Sequence, residues 1–407
     1  EDIYSVLFVY GLFRWCGWEG RSIPFDIVPL FETMAGMAAS ESVMQSQFDL
    51  PFYREHLRQR NNRHTIMLGF SDGTKDGGYL KANWSIFKTK ENLTRVCKNS
   101  GVHPVFFDGR GGPPARGGGK THRFYAAQTD QIANEEIQLT VQGQTITSTY
   151  GTREQFIHNS EQLLTAGLSN TIYGKENAIS QSQRELIETL SELSFAKYDA
   201  LKHHEKFISY LEERSTLRFY TKANIGSRPG KRGNKAKLEL TDLRAISFVG
   251  SWSQLKQNVP GYFGIGTALK TLKEEGRISD LQLLFRDVAF FKALMLNSMM
   301  SLTKCYFELT AYMEQDPEFG EFWKILKEEY LLSKEMLLEI SGYTELMEGE
   351  LVSRESIRIR EQIVLPLLVI QQAALQKINE ASPKMELYEK IITRSLYGNI
   401  NASRNSA

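Results

Sequence analysis

The stretch from Phe107 to Arg123 sets six glycines among Arg110, Arg116, Lys120 and Arg123, directly after an apolar run from Val102 to Phe107. Glycine permits backbone conformations and close approaches that a side chain blocks. Arginine presents a planar, permanently charged fork that matches carboxylate or phosphate oxygens. Together, at the end of a strand, they describe a cradle for a small anion. A nucleotide-type phosphate loop is excluded: Gly119-Lys120-Thr121 imitates the end of that motif, but Pro114 stands where its first glycine is required. RNA-binding Arg-Gly segments are long, repetitive and polar, whereas this one is short and follows an apolar strand.

The other apolar runs also hand over to polar residues that a core would not choose. Phe31 leads to Glu32, Phe70-Ser71 to Asp72 with Lys75 just beyond, Phe107-Asp108 to Arg110, and Val141 to Gln142. The run after Leu217 leads to Asn224 and Arg228, and the last run is entered by Arg244. In a parallel barrel the residues just past the strand ends converge on one rim. Two carboxylates that leave positions open for water and substrate suit Mg²⁺ or Mn²⁺, and the arginines then hold an anionic substrate. Taken singly, Glu32 and Asp72 read as helix N-terminal caps; convergence is what makes them a metal pair.

Three further features are open between two readings. Residues 228–237 carry five cations, with Gly230, Lys231, Arg232 and Gly233 at their centre, and read as a mobile lid or a solvated surface turn. Lys304, in the apolar stretch Asp287–Met313, needs a carboxylate from a ligand or from the protein, and Glu308 at i,i+4 is the simplest partner. Arg360 precedes the apolar helix Ile363–Ile370 and reads as a surface cation or a ligand-binding one. None of the seven histidines pairs with a Cys or Asp in a nucleophilic arrangement.

The elements that must position these residues follow an α/β pattern. Short apolar runs at Phe25–Phe31, Thr65–Phe70, Val102–Phe107, Ile137–Val141, and less clearly Leu217–Tyr220 and Ala245–Val249, predict strands. Helical stretches lie between them: 75–98, ended by Gly101, then 153–166 and 183–211. From Thr267 onward the chain predicts helices only: 287–313, buried on most faces, then 317–346 and 353–379, with a short irregular tail after Tyr397. Ile3–Phe13 predicts a buried helix, too short to span a bilayer. With 407 residues, 41% of them apolar, the core is ample. The 49 basic and 48 acidic residues give no long-range field toward nucleic acid or membrane. Cys16, Cys97 and Cys305 fall in no metal or redox motif and fit a reducing, cytoplasmic setting.

These motifs resemble phosphoenolpyruvate carboxylases, specifically the C-terminal, catalytic half of the bacterial and plant type. The resemblance rests on Pro29-Leu30-Phe31-Glu32-Thr33, Gly69-Phe70-Ser71-Asp72 with Lys75-Asp76, and Gly109-Arg110-Gly111-Gly112 with Arg116-Gly117-Gly118-Gly119. Asn224-Ile225-Gly226-Ser227-Arg228-Pro229 and Leu243-Arg244-Ala245-Ile246 continue it in order. It implies a TIM-barrel-like α/β fold over 1–266, an all-α region over 267–407, and carboxylation of phosphoenolpyruvate with bicarbonate to oxaloacetate and phosphate. Glu32 and Asp72 would hold Mg²⁺ or Mn²⁺. Arg110, Arg228 and Arg244 would hold the phosphate, Lys75 matches the active-site lysine, and Arg116 would orient the carboxylating species. The 230–237 loop would close over the site. Arg116, Lys304, Arg360 and Asn405 would bind aspartate or malate as feedback inhibitor, and the full-length protein would be a homotetramer.

The sequence also departs from the family pattern. The family places a histidine where Asp108 stands, so that an anion there either repels bicarbonate or binds a basic partner. Pro113-Pro114-Ala115 stiffens the loop, and Gln144 replaces a usual glutamate. The family's N-terminal half, with a catalytic histidine, has no counterpart, so this chain reads as a C-terminal fragment, inactive alone. The alternative is a non-catalytic, dicarboxylate-binding regulatory paralogue. Retention of both acidic ligands weighs against it.

Overall fold

The computed structural model describes residues 3–16, 25–141, 143–220 and 239–403. Four parallel strands pair in chain order: β1 (Leu30–Phe31), β2 (Arg63–Gly69), β3 (His103–Gly109) and β4 (Ile137–Leu139). The register aligns Phe31 with Leu68, Leu68 with Asp108, and Asp108 with Leu139. The residues just past this row therefore come to one end of the sheet.

Parallel neighbours require a crossover, and between β2 and β3 the helix Tyr79–Asn99 supplies it. Its buried face carries Leu80, Trp84, Phe87, Leu93 and Cys97 at helical spacing. It stops as expected at Gly101, whose φ of 66° is left-handed. There the Val102 N–H bonds to Cys97 O at 2.9 Å and the Gly101 N–H to Lys98 O at 3.0 Å, a Schellman ending. One core joins the sheet, this helix, Met34–Phe48 and the helices from Ile265 to Ser341. A second core gathers Phe207, Tyr210, Phe248, Trp252, Phe322 and Trp323.

The fold is thus helix-rich α/β with a small parallel sheet, and among the described residues the sheet stays open. Two runs expected to be strands are helical. Ala245–Gln254 is a helix that buries Phe248, Val249 and Trp252 on one face, and Leu217–Tyr220 is a single helical turn entered through Ser215, whose Oγ accepts the Leu217 N–H at 3.1 Å. A short apolar run carries no periodicity that separates a buried strand from a buried helix.

The stretch 287–313 is not one helix. It breaks into Ala289–Thr303 and the 3₁₀ segment Phe307–Gln315, because the Tyr306 N–H turns away to Lys256 O at 2.8 Å. The helix Met385–Ser403 continues through the segment expected to be irregular after Tyr397. The helix Ile3–Trp15 forms but is not buried: Phe8 is 66% and Trp15 85% exposed. No helix of the described residues is long and apolar enough to cross a membrane.

One buried carboxylate joins the C-terminal helices to the rest. Glu329, on Gly320–Ser341, accepts the N–H groups of Gly264 and Thr267 at 3.1 Å each and the Thr267 hydroxyl at 2.5 Å. These are orphan donors at the start of the helix Ile265–Glu274, where an anion also meets the positive end of the helix dipole. Glu329→Ala is expected to lower unfolding free energy by about 2–4 kcal/mol, since several buried donors lose their acceptor. Denaturant unfolding of Glu329→Gln, which keeps an acceptor, should show less than half that loss.

Candidate active site

Glu32, directly after β1, lies against the first turn of the helix Phe70–Gly77. A Cβ added at Gly69 would fall 2.4 Å from Glu32 Cβ, and one at Gly73 3.7 Å from Glu32 O. Asp72 occupies that same first turn. The two carboxylate-bearing residues thus flank one glycine-edged strand end, 40 positions apart in sequence.

Lys75 follows on the same helix. Its Nζ lies 3.6 Å from Asp72 Oδ1 and donates to Leu243 O at 2.8 Å. Leu243 directly precedes Arg244, which sits at the N-terminal cap of Ala245–Gln254. The helix that replaces an expected strand therefore still delivers Arg244 to Lys75.

The glycine segment is a closed turn. The Gly111 N–H bonds to Arg116 O at 2.6 Å, and the Gly118 N–H to Pro113 O at 2.9 Å. Pro113 and Pro114 start a 3₁₀ turn, Pro114–Arg116, as their stiffness leads one to expect. Gly117 has φ 80°, and a Cβ at Gly118 would lie 1.8 Å from Gly112 O, so no other residue fits there. Arg116 leaves this turn buried, with Nε donating to Ser71 Oγ at 3.0 Å beside Asp72. Burial lowers its guanidinium to about 10, against the opposing pull of Asp72 and Tyr220. It therefore remains charged at neutral pH.

Arg110 faces inward. Its Nε donates to Gly117 O, and its guanidinium lies 4.3 Å from the centre of the Phe124 ring. Asp108, the departure from the family histidine, is fully buried and accepts Lys90 Nζ and Tyr125 Oη at 2.7 Å each. Of the two readings of that anion, pairing with a basic partner is the one observed.

Of the expected effector residues, Lys304 lies on the other side of the same turn, close enough to Arg360 for their charges to interact. A cleft is lined by Pro113, Pro114, Ala115, Ser253, Asn258 and Lys304. Burial lowers the Lys304 ammonium to about 8, helped by Lys256 and Arg360 and opposed by Glu361. Arg360 donates to Ser356 Oγ at 3.2 Å and to Ala402 O at 3.3 Å. Arg228, Gly230, Lys231, Arg232, Gly233 and Asn405, with Gln142, lie outside the described residues.

Sequence reasoning missed Lys90, Tyr125, Ser71, Lys256 and Glu361. Lys90 had a readable signal, since it falls on the apolar face of its helix, three and four positions from Phe87, Leu93 and Ile86. Lys256, 3% exposed with φ 56° and paired to Glu361 Oε1 at 2.5 Å, had none.

The family model for phosphoenolpyruvate carboxylase matches residues 1–403. The phosphoenolpyruvate carboxylase of Corynebacterium glutamicum is 34% identical over 392 residues, covering 94% of this chain and 42% of the relative. That of Corynebacterium efficiens is 34% identical over 379 residues, with coverages of 90% and 41%. That of Nitrosomonas eutropha is 32% identical over 400 residues, with 95% and 43%. The chain spans less than half the length of these relatives.

Gly118→Ala is expected to open the turn, since the obstruction is backbone oxygen and cannot step aside. Trypsin should then cleave after Arg116 in the variant and spare it in the parent. Equal resistance of the two would show that the turn tolerates a side chain.

Proposed function

The chain belongs to the phosphoenolpyruvate carboxylase family, and from that premise we propose that the whole protein joins phosphoenolpyruvate and bicarbonate to give oxaloacetate and phosphate. The observation that carries this reading is the meeting of Glu32, Asp72, Lys75, Arg116 and the Arg244 cap at one end of a parallel sheet. Strand ends gathered in this way also support the TIM-barrel reading.

The donor set fits a divalent ion that prefers oxygen. Two carboxylates, Glu32 and Asp72, would hold Mg²⁺ or Mn²⁺ and leave positions for water and substrate; no cluster of three or more His, Cys, Asp or Glu occurs among the described residues. When bound, the ion supplies positive charge beside substrate oxygens as negative charge develops.

The chain's own cations do the rest. Arg244, with Arg228 and Arg110, neutralises the phosphoryl group, where charge spreads over equatorial oxygens during transfer. Lys75, anchored by Asp72 and Leu243 O, adds a fixed ammonium. Arg116, held by Ser71, orients the anionic carboxylating species.

The cleft at Lys304 supports a second part of the proposal: with Arg360, Arg116 and Asn405 it binds a dicarboxylate such as aspartate or malate and inhibits. The homotetramer belongs to the same reading. Of the two departures that suggest a non-catalytic paralogue, Asp108 and Gln144, the first is engaged by Lys90.

In the whole protein, Asp72→Asn is expected to lower metal-dependent oxaloacetate formation by about 10²–10³-fold, the scale on which removal of one preorganised charge acts. Phosphoenolpyruvate consumed without oxaloacetate would overturn the carboxylase. Inhibition should track the Lys304 ammonium. An anion binds the protonated form, which prevails below about pH 8, so aspartate inhibition is expected to fade as pH rises through that value. Lys304→Met should abolish inhibition and spare turnover. A pH-independent inhibition constant would remove Lys304 from the effector site.

A further inference from the structure

Behind the glycine turn lies a charged cluster that the reaction as described does not use. Lys90 is 2% and Asp108 0% exposed, and their side chains meet at 2.7 Å. Tyr125 Oη donates to the same carboxylate oxygen at 2.7 Å. Lys90 Nζ stands 5.4 Å from the ring centres of Phe106 and Phe124 and 5.7 Å from that of Tyr125. The Arg110 guanidinium uses two of those rings, 4.3 Å from Phe124 and 5.7 Å from Tyr125. Two cations thus share one aromatic floor out of water, and Asp108, hydrogen-bonded to Lys90 and Tyr125, is the carboxylate that answers the first of them. Its backbone continues that chain: Asp108 O accepts the Arg110 N–H at 2.8 Å and the Thr140 N–H at 3.1 Å.

We propose that Lys90, Asp108 and Tyr125 are positioning residues for Arg110. Their buried pair neutralises the floor, so that Arg110 can lie on Phe124 and hold the turn shut through Gly117 O, with Arg116 directed at Ser71. The charge balance makes the case specific. Losing Asp108 alone leaves two like charges in a dry pocket, and losing Lys90 alone leaves a buried carboxylate without its ammonium beside the rings that Arg110 uses. Either loss pulls or pushes Arg110 from its seat. Removing both charges leaves the floor neutral, and Arg110 keeps its aromatic face. The effect on the turn stands by itself; the effect on catalysis rests on the carboxylase reading.

The test uses the whole protein and two readouts. In Asp108→Asn and in Lys90→Met, tryptic cleavage after Arg110 and Arg116 is expected to speed up about tenfold or more, and KM for phosphoenolpyruvate to rise by a similar factor. Lys90→Met/Asp108→Asn should return both to within about threefold of the parent. Because a single charge loss can prevent folding, Tyr125→Phe, which deletes one hydrogen bond, serves as the mild variant and should raise cleavage by about threefold. KM does not depend on the fraction of protein folded, so a purely structural cluster would lower yield and melting temperature while leaving KM and the cleavage pattern unchanged, and that result would overturn the proposal. Opening of the turn in a protein that makes no oxaloacetate would remove the reaction and uphold the positioning role.

Discussion

Positive charge held out of water is the constraint that organises this molecule. Lys90, Arg116 and Lys256 are each at most 5% exposed, and each is answered by a carboxylate from a different part of the chain: Asp108, Asp72 and Glu361. A buried pair is a weak source of net stability, but removing one partner costs about 3–5 kcal/mol, because the other is left uncompensated. Such pairs therefore fix arrangement more than they add stability. Asp72 illustrates it, lying 3.6 Å from the Lys75 ammonium while countering burial at Arg116. One carboxylate thus keeps two cations at the sheet end without their repelling each other apart.

Close backbone approach is the second requirement, and glycine meets it at the points where segments cross. Gly69 lets Glu32 lie against β2, and Gly117 passes where a Cβ would stand 2.6 Å from the side chain of Phe70. These contacts bring the ends of β1, β2 and β3 close together. A bulkier residue at either position would separate the groups that the charge pairing holds together. The glycines and the ion pairs are complementary: the first removes steric distance, and the second removes electrostatic cost.

Much of the site was legible in the sequence because its residues stand where apolar runs end. Glu32, Asp72, Lys75, Arg110 and Arg116 all follow strands, although the first keeps only Leu30–Phe31 of the expected Phe25–Phe31, and strand ends in a parallel sheet share one edge by geometry. Arg244 was placed through a mistaken strand and is delivered by a helix instead, since Ala245–Val249 is too short for periodicity to separate the two. The break at Lys304–Tyr306 was illegible for another reason. It depends on a bond from the Tyr306 N–H to Lys256 O, and nothing local in either segment announces the other. Lys256 itself looks like any surface lysine until tertiary packing buries it. Long-range pairing is what a linear pattern does not encode, and the charged pairs here are mostly long-range.

On the proposed reading, the turn Pro114–Arg116 is where inhibition and catalysis meet. One side of it points Arg116 to Ser71 and Asp72, and the other side lines the cleft at Lys304. Coupling between two sites requires an element that each ligand biases differently. A turn closed by its own backbone bonds, with left-handed glycines at 117 and 119, moves as a unit or not at all. On that reading, an anion seated by Lys304 and Arg360 would attract the Arg116 guanidinium across the turn, in competition with Asp72. What Arg116 gains on one face it must leave on the other, because its single charge cannot serve both.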